Sequence, residues 1–252
     1  MRNYIIFDTE TTGLIDRKDR LIEIGAIRVI DGVIPDLQDK KRVLNMYFDP
    51  LVEISPHVVA VHNLSRKVLV EEKGAKPLTK EDLVYIADFF RGYDIVAHNA
   101  KFDVGFLNAE ALRLKLSDDF IGEYCAVKVL DTQEIAGKLY SKYIDKTRAG
   151  KLDPNKLHGL KLDNLAEFLK IDRTQRDIQG HGALLDSVIL AQVYSRMLNY
   201  DNQVTKEKLQ QQLQQIQELG GPLPDIDFKS FNIKLQTPKA PNLNNNYNFS
   251  IK

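Results

Sequence analysis

The sequence predicts an α/β domain with a mixed β-sheet flanked by helices, and three observations carry that reading. Three short apolar runs come first, an Asp-Gly turn signal follows the second of them, and helical and strand patterns alternate after residue 79. Early strands joined by turns make antiparallel neighbours, and the later alternation of helices with strands completes an α/β domain.

Each element has a local reason. Tyr4-Ile5-Ile6-Phe7 is an apolar run ending in Asp8, which suits a strand buried on both faces. Leu21 to Ile30 is the second strand, broken by Asp31-Gly32, and Arg42 to Phe48 is the third. Ser55-Pro56 to Leu64 reads as helical. From Lys80 to Arg91 the residues Leu83, Ile86, Ala87 and Phe90 recur on one helical face, with Pro77 and Thr79 as start signals. Asp94 to Ala97 is then a buried strand, Phe102 to Lys115 a helix and Val127 to Asp131 a strand. Leu160 to Leu169 and Ala183 to Leu198 are the last helices of a body that spans residues 1–200. Residues 201–252 change character: glutamine dominates Gln203 to Gln217, and Pro, Asn and Lys follow Gly220-Gly221-Pro222. Such a segment lacks the clustered apolar residues of a core, so it is expected to be a flexible or partner-binding tail, or a passive solvated one.

Composition narrows the function. The chain of 252 residues carries 35 Lys plus Arg against 35 Asp plus Glu, so bulk positive charge cannot be what holds a polyanion. A polyanion must be gripped locally. The single cysteine, Cys125, cannot form an internal disulfide, which fits a reducing compartment. No apolar stretch approaches the ~20 residues of a membrane span, and Tyr4 to Phe7 is too short for a signal peptide. A soluble, cytoplasmic protein is expected.

Chemistry concentrates in three places. Asp8 and Glu10 stand two apart at a strand end, and strand side chains alternate, so both carboxylates point to one face. Two such acids repel unless a cation lies between them, and hard Mg²⁺ prefers carboxylate oxygen together with water and phosphate. Thr11-Thr12-Gly13 adds hydroxyls and backbone N–H groups beside them. Asp103 follows the Asp94–Ala97 strand at a strand-to-helix junction, where α/β sheets bind ligands. Gly180-His181-Gly182 frees an imidazole that can take a proton near neutral pH, and Asp186 lies five residues on. Taken singly, each acid also fits a solvated strand end or a helix first turn.

Together these pieces resemble the DEDD superfamily of 3′→5′ exonucleases in its histidine branch, the DnaQ-like enzymes. The matching lines are FDTETTGL (7–14), HNAKFDVGFL (98–107) and HGALLDSVILAQVY (181–194), and the likeness covers about residues 3–198. Gly182 stands where the tyrosine branch would have Tyr, so His181 assigns the branch. Within the family the epsilon type, the proofreading subunits of bacterial DNA polymerase III, looks most similar. The resemblance implies an RNase H-like fold with a central five-stranded mixed sheet. It implies two Mg²⁺ or Mn²⁺ ions held by Asp8, Glu10, Asp103 and Asp186, with His181 as general base. It further implies that Thr11, Thr12, His62, His98 and Asn99, along with the metal-binding acids Asp8, Glu10 and Asp186, contact the substrate; His98 fits a packed, backbone-bonded residue equally well.

The partners implied are a DNA 3′ end and the polymerase III catalytic subunit, the latter held through the 201–252 tail. A sliding clamp gripping the Gln-rich stretch is a further reading. The alternative substrate is an RNA 3′ end, as in the ribonuclease T and oligoribonuclease branches. A third class is a non-catalytic binding module that kept the fold, which the filling of all five catalytic positions argues against. This chain departs from the family in two places. Val61-His62-Asn63-Leu64 stands where Val-His-Gly-Ile is usual, and a Lys- and Arg-rich stretch from Lys138 to Lys161, with Tyr140 and Tyr143 interleaved, looks longer than its counterparts. That stretch is either a phosphate contact or a solvated loop.

Overall fold

The computed structural model describes residues 3–125, 128–145 and 155–199. Five strands form one mixed sheet: β1 (Tyr4–Thr11), β2 (Leu21–Val29), β3 (Val43–Tyr47), β4 (Asp94–Ala97) and β5 (Val129–Asp131), in the order β3-β2-β1-β4-β5. β1 pairs antiparallel with β2, and β2 with β3, whereas β1–β4 and β4–β5 are parallel. The mixed sheet expected from the sequence is present, and so is its cause. The first three strands follow one another as hairpins, and the parallel ones are reached through helices.

The helices are α1 (Pro56–His62), α2 (Lys80–Phe90), α3 (Ala100–Arg113), α4 (Thr132–Leu139), α5 (Leu162–Phe168), α6 (Thr174–Gln179) and α7 (183–199). Strand alternation divides the core into two layers. On one face Ile5, Phe7 and Ala26 pack with Leu83 and Phe90 of α2 and Leu107 of α3. On the other, Tyr4, Ile6 and Ile27 pack with Leu165 of α5 and Ile189, Leu190 and Val193 of α7. Asp8 and Glu10 share the parity of Tyr4 and Ile6. They therefore lie on the α7 face, at the point along β1 where apolar side chains give way to acids.

Several sequence expectations shift in detail. β1 runs to Thr11, four residues past the apolar run, because its hydrogen-bonding partner β2 continues opposite it to Leu21. α3 starts at Ala100 rather than Phe102. α4 and α6 were not anticipated: each is at most eight residues long, too short for a helical repeat to stand out. Among the described residues no helix is long and apolar enough to cross a membrane. The 201–252 tail, and Lys146, Arg148 and Lys151 of the basic stretch, lie outside the described residues.

One packing detail positions α7. Gly25 of β2 lies so close to the first turn of α7 that a Cβ there would stand 2.1 Å from Leu184 N and 2.3 Å from the Ala183 carbonyl carbon. Ser187 Oγ completes the contact by donating to Gly25 O at 2.9 Å. Backbone on backbone cannot yield, so Gly25→Ala is expected to push α7 outward at a cost of about 3 kcal/mol, the upper end for overpacking. Denaturant unfolding checks this; a loss below about 1 kcal/mol would show that α7 is not fixed at Gly25.

Candidate metal centre

Four carboxylates reach one cavity of about 190 Å³ from three different elements. β1 supplies Asp8 and Glu10. It pairs with β4 only from Tyr4 to Ile6, so the acids lie beyond the β4 register, and the start of α3 comes in beside them. Asp103, in the first turn of α3, is 2% exposed and accepts a hydrogen bond from Thr9 Oγ1 at 2.7 Å. Asp186, in the first turns of α7, is 4% exposed. His181 stands at the rim, its side chain 39% exposed, with Nδ1 3.3 Å from Asp186 Oδ2.

Residues further out fix these positions. Asp131, at the end of β5, accepts from Asn99 N and Ala100 N at 3.0 Å each and from Gln133 N at 2.8 Å. One carboxylate thus caps the starts of both α3 and α4 and sets where Asp103 lies. Glu23, directly across from Glu10 in the β1–β2 pair, is 2% exposed and accepts Ala183 N at 3.2 Å, which ties the start of α7 to the sheet. The backbone N–H of His181 donates to Val61 O at 3.2 Å, anchoring the Gly180-His181-Gly182 turn to α1.

The electrostatics follow from crowding. Burial first, then the charges of Asp103, Asp186 and Glu10, drives Asp8 well above the usual carboxylate range. Burial, with Asp186 and Glu23 nearby, pushes Glu10 up to about 9. Burial pushes Asp103 up to about 7, against the Thr9 hydrogen bond that favours its charged form. Acids this crowded need either protons or cations.

The donor set fits a hard divalent cation. Glu10, His181 and Asp186 present ligand atoms all within 4.8 Å of one another. Asp186 Oδ1 is buried with no hydrogen-bond partner of its own, although Arg176 Nε approaches it to 2.7 Å at an angle that makes no hydrogen bond. A carboxylate oxygen held by an ion pair alone, with no hydrogen bond, is one that an incoming cation can compete for.

The remaining residues expected from the sequence divide. His98 lines the cavity, but its Nδ1 lies 2.9 Å from Thr132 Oγ1 and its Nε2 2.7 Å from Leu160 O, so both ring nitrogens are engaged within the protein. Burial lowers its pKa and that of His62 alike. His62 is buried, accepts Leu64 N at Nδ1 and rests against the Thr11 backbone. Thr11 Oγ1 donates to Gly13 O, and Thr12 Oγ1 accepts Arg20 N, so both hydroxyls shape the turn after β1. Asn99 is exposed in the left-handed region, φ 63°, at the N-cap position of α3, where its side chain makes no capping bond and Asp131 does the capping. These last four do not line the acidic cavity.

Sequence reasoning missed Arg176, Glu23 and Asp131. Glu23 left a trace, since a charged residue at a core position of an apolar strand is unusual. Arg176 left none.

The chain is similar to known proteins in sequence and in fold. A family model described as Exonuclease matches residues 5–194. The DNA polymerase III epsilon subunit of Escherichia coli K12 is 31% identical over 198 residues, covering 77% of this chain and 70% of that protein. That of Salmonella typhimurium is 31% identical over 206 residues, covering 80% and 73%. Among solved structures, E. coli exonuclease I in complex with a dT13 oligonucleotide superimposes with a TM-score of 0.62 at 14% identity, over 82% of this chain and 43% of that one. An apo exonuclease I gives 0.59 at 15% identity, over 84% and 47%. This chain thus spans less than half of either exonuclease I chain, and those two likenesses speak for the RNase H-like fold alone.

Proposed function

The chain belongs to the exonuclease family, and from that premise we propose that it removes nucleoside monophosphates from DNA 3′ ends, editing for a replicative polymerase. The observation that carries this reading is the meeting of Asp8, Glu10, Asp103 and Asp186 in one cavity with His181 at its rim. The similarity to epsilon subunits supports DNA as the substrate and proofreading as the role.

In this reading Asp8, Glu10 and Asp186, with Asp103 beside them, hold two divalent cations, Mg²⁺ or Mn²⁺. Bound there, such cations lower the pKa of water and neutralise charge on the attacking and leaving oxygens of a phosphodiester. His181 takes the proton of the attacking water, and its half-exposed position gives that proton a way out to solvent. Thr9 keeps Asp103 oriented through its hydroxyl. Glu23 and Asp131 hold the starts of α7 and α3, and therefore the separation of Asp186 and Asp103 from β1. Without cations, four carboxylates would repel the phosphate they are meant to receive.

The test offers the purified chain Mg²⁺ with a 3′-mismatched DNA primer and an RNA strand of the same sequence. Release of deoxynucleoside monophosphates at least about tenfold faster than ribonucleotides is expected, roughly the discrimination that one extra contact gives. Faster loss of the RNA would instead support the exoribonuclease reading.

A further inference from the structure

We propose that Arg176 is a phosphate ligand held in reserve: it neutralises Asp186 in the free protein and turns to a phosphate oxygen of the terminal nucleotide once Asp186 is given to a metal. The inference deepens the exonuclease reading and rests on it.

Arg176, the third residue of α6, is 6% exposed and lies in the wall of the acidic cavity. Its guanidinium has three neighbours. Nη1 is ion-paired with Asp163, which Arg173 also approaches at 3.0 Å, Nε stands 2.7 Å from Asp186 Oδ1, and Nη2 stands 2.7 Å from His181 Nδ1. These contacts differ in kind. Asp163 is not among the residues lining the cavity, and its pairing anchors one side of the fork. The approach to Asp186 is an attraction between charges without hydrogen-bond geometry, and both atoms are otherwise unpartnered.

A buried guanidinium needs an anion, and a cation needs Asp186. Both cannot have the whole of that carboxylate. When Asp186 turns to a metal, the inner side of the Arg176 fork is left without its counter-charge while Asp163 still holds the outer side. The anion that enters the same cavity is the substrate phosphate, and a guanidinium presents paired N–H donors that match two phosphate oxygens. Arg176 therefore serves first as a stand-in for the cation and then as a partner for the substrate.

This exchange has a signature that a merely structural arginine lacks. Arg176→Gln removes a competitor for Asp186, so direct Mn²⁺ binding, followed by electron paramagnetic resonance without substrate, is expected to tighten about fivefold, the effect of one unit charge at close range in screened surroundings. It also removes a phosphate donor, so kcat/KM on a DNA primer is expected to fall about 100-fold, as for loss of one charge-stabilising donor. Arg176→Lys keeps the charge but not the fork. It is expected to bind Mn²⁺ within about twofold of the wild type while losing about tenfold in kcat/KM. Weaker Mn²⁺ binding by a folded Arg176→Gln protein, or kcat/KM unchanged in both variants, would overturn the inference. If the glutamine variant does not fold, a lysine variant with wild-type kcat/KM overturns it alone. A wild-type protein without metal-dependent nuclease activity would overturn the exonuclease reading itself, so the two failures are distinct.

Discussion

Asp8→Asn is expected to lower 3′→5′ exonuclease turnover by about 10³-fold or more while making the metal-free protein more resistant to heat. The loss follows from the role proposed for Asp8: it lines the same cavity as Glu10, Asp103 and Asp186 and feels the charge of all three, so a cation held among them would draw on its carboxylate. Removing a ligand common to the site forfeits about 4 kcal/mol of charge stabilisation in the transition state, which is about a thousandfold in rate. The gain in stability has the same origin. Asn keeps the volume of Asp and is neutral without having to take up a proton, so the metal-free fold no longer bears the cost of protonating a buried, crowded carboxyl group. Primer-degradation kinetics and a thermal melt in a chelating buffer check both halves. Retention of more than about a tenth of wild-type turnover would contradict the role of Asp8, since a tenfold change is only about 1.4 kcal/mol.

The second large effect links pH, metal and stability. Glu10 is pushed up to about 9 and Asp103 to about 7, in both cases chiefly by burial. A carboxylate whose pKa is higher folded than unfolded binds more protons in the folded state across the interval between the two values. Its contribution is complete below its ordinary carboxylate pKa and is lost as pH rises through the folded value. In the presence of a chelator, stability should therefore fall steadily from about pH 5 to about pH 9, with Asp103 contributing up to about 7 and Glu10 over the whole range. Divalent cations replace the missing protons, so their binding should release protons near neutrality, and the rise in melting temperature on adding Mg²⁺ should grow with pH. Melts with and without Mg²⁺ across that range are the measurement. A chelated protein equally stable throughout, or a Mg²⁺ effect that shrinks with pH, would show that these acids are not a shared cation site.

Much of this was legible in the chain, for physical reasons that differ by residue. Asp8 and Glu10 could be read because strand alternation has a period of two and needs no tertiary information. Asp103 and Asp186 could be read because each lies at a fixed offset from a glycine, histidine or strand end within a short motif. What was not legible arises from contacts that no periodic pattern or motif reveals. Arg176 has its role only because the turn after α6 brings His181 and Asp186 back to its guanidinium, and nothing in the sequence distinguishes it from any helical arginine. Asp131 ends a predicted strand, yet that it caps two helix starts depends on β5 lying beside β4. His98 shows the converse. Its motif suggested a substrate contact or a packed residue, and its ring nitrogens reach Thr132 and Leu160, partners 34 and 62 residues away. The short helices α4 and α6 escaped notice because neither is long enough to display a repeat.

Crystals grown with Mn²⁺ and a nucleoside monophosphate, measured by anomalous scattering at the manganese edge, would meet the central claim most directly. The expected result is two anomalous peaks inside the cavity, one touching Asp8, Glu10 and Asp186 and the other on the side of Asp8 toward Asp103, with the nucleotide phosphate against both. Manganese bound elsewhere on the chain while these four carboxylates stay unligated would contradict it.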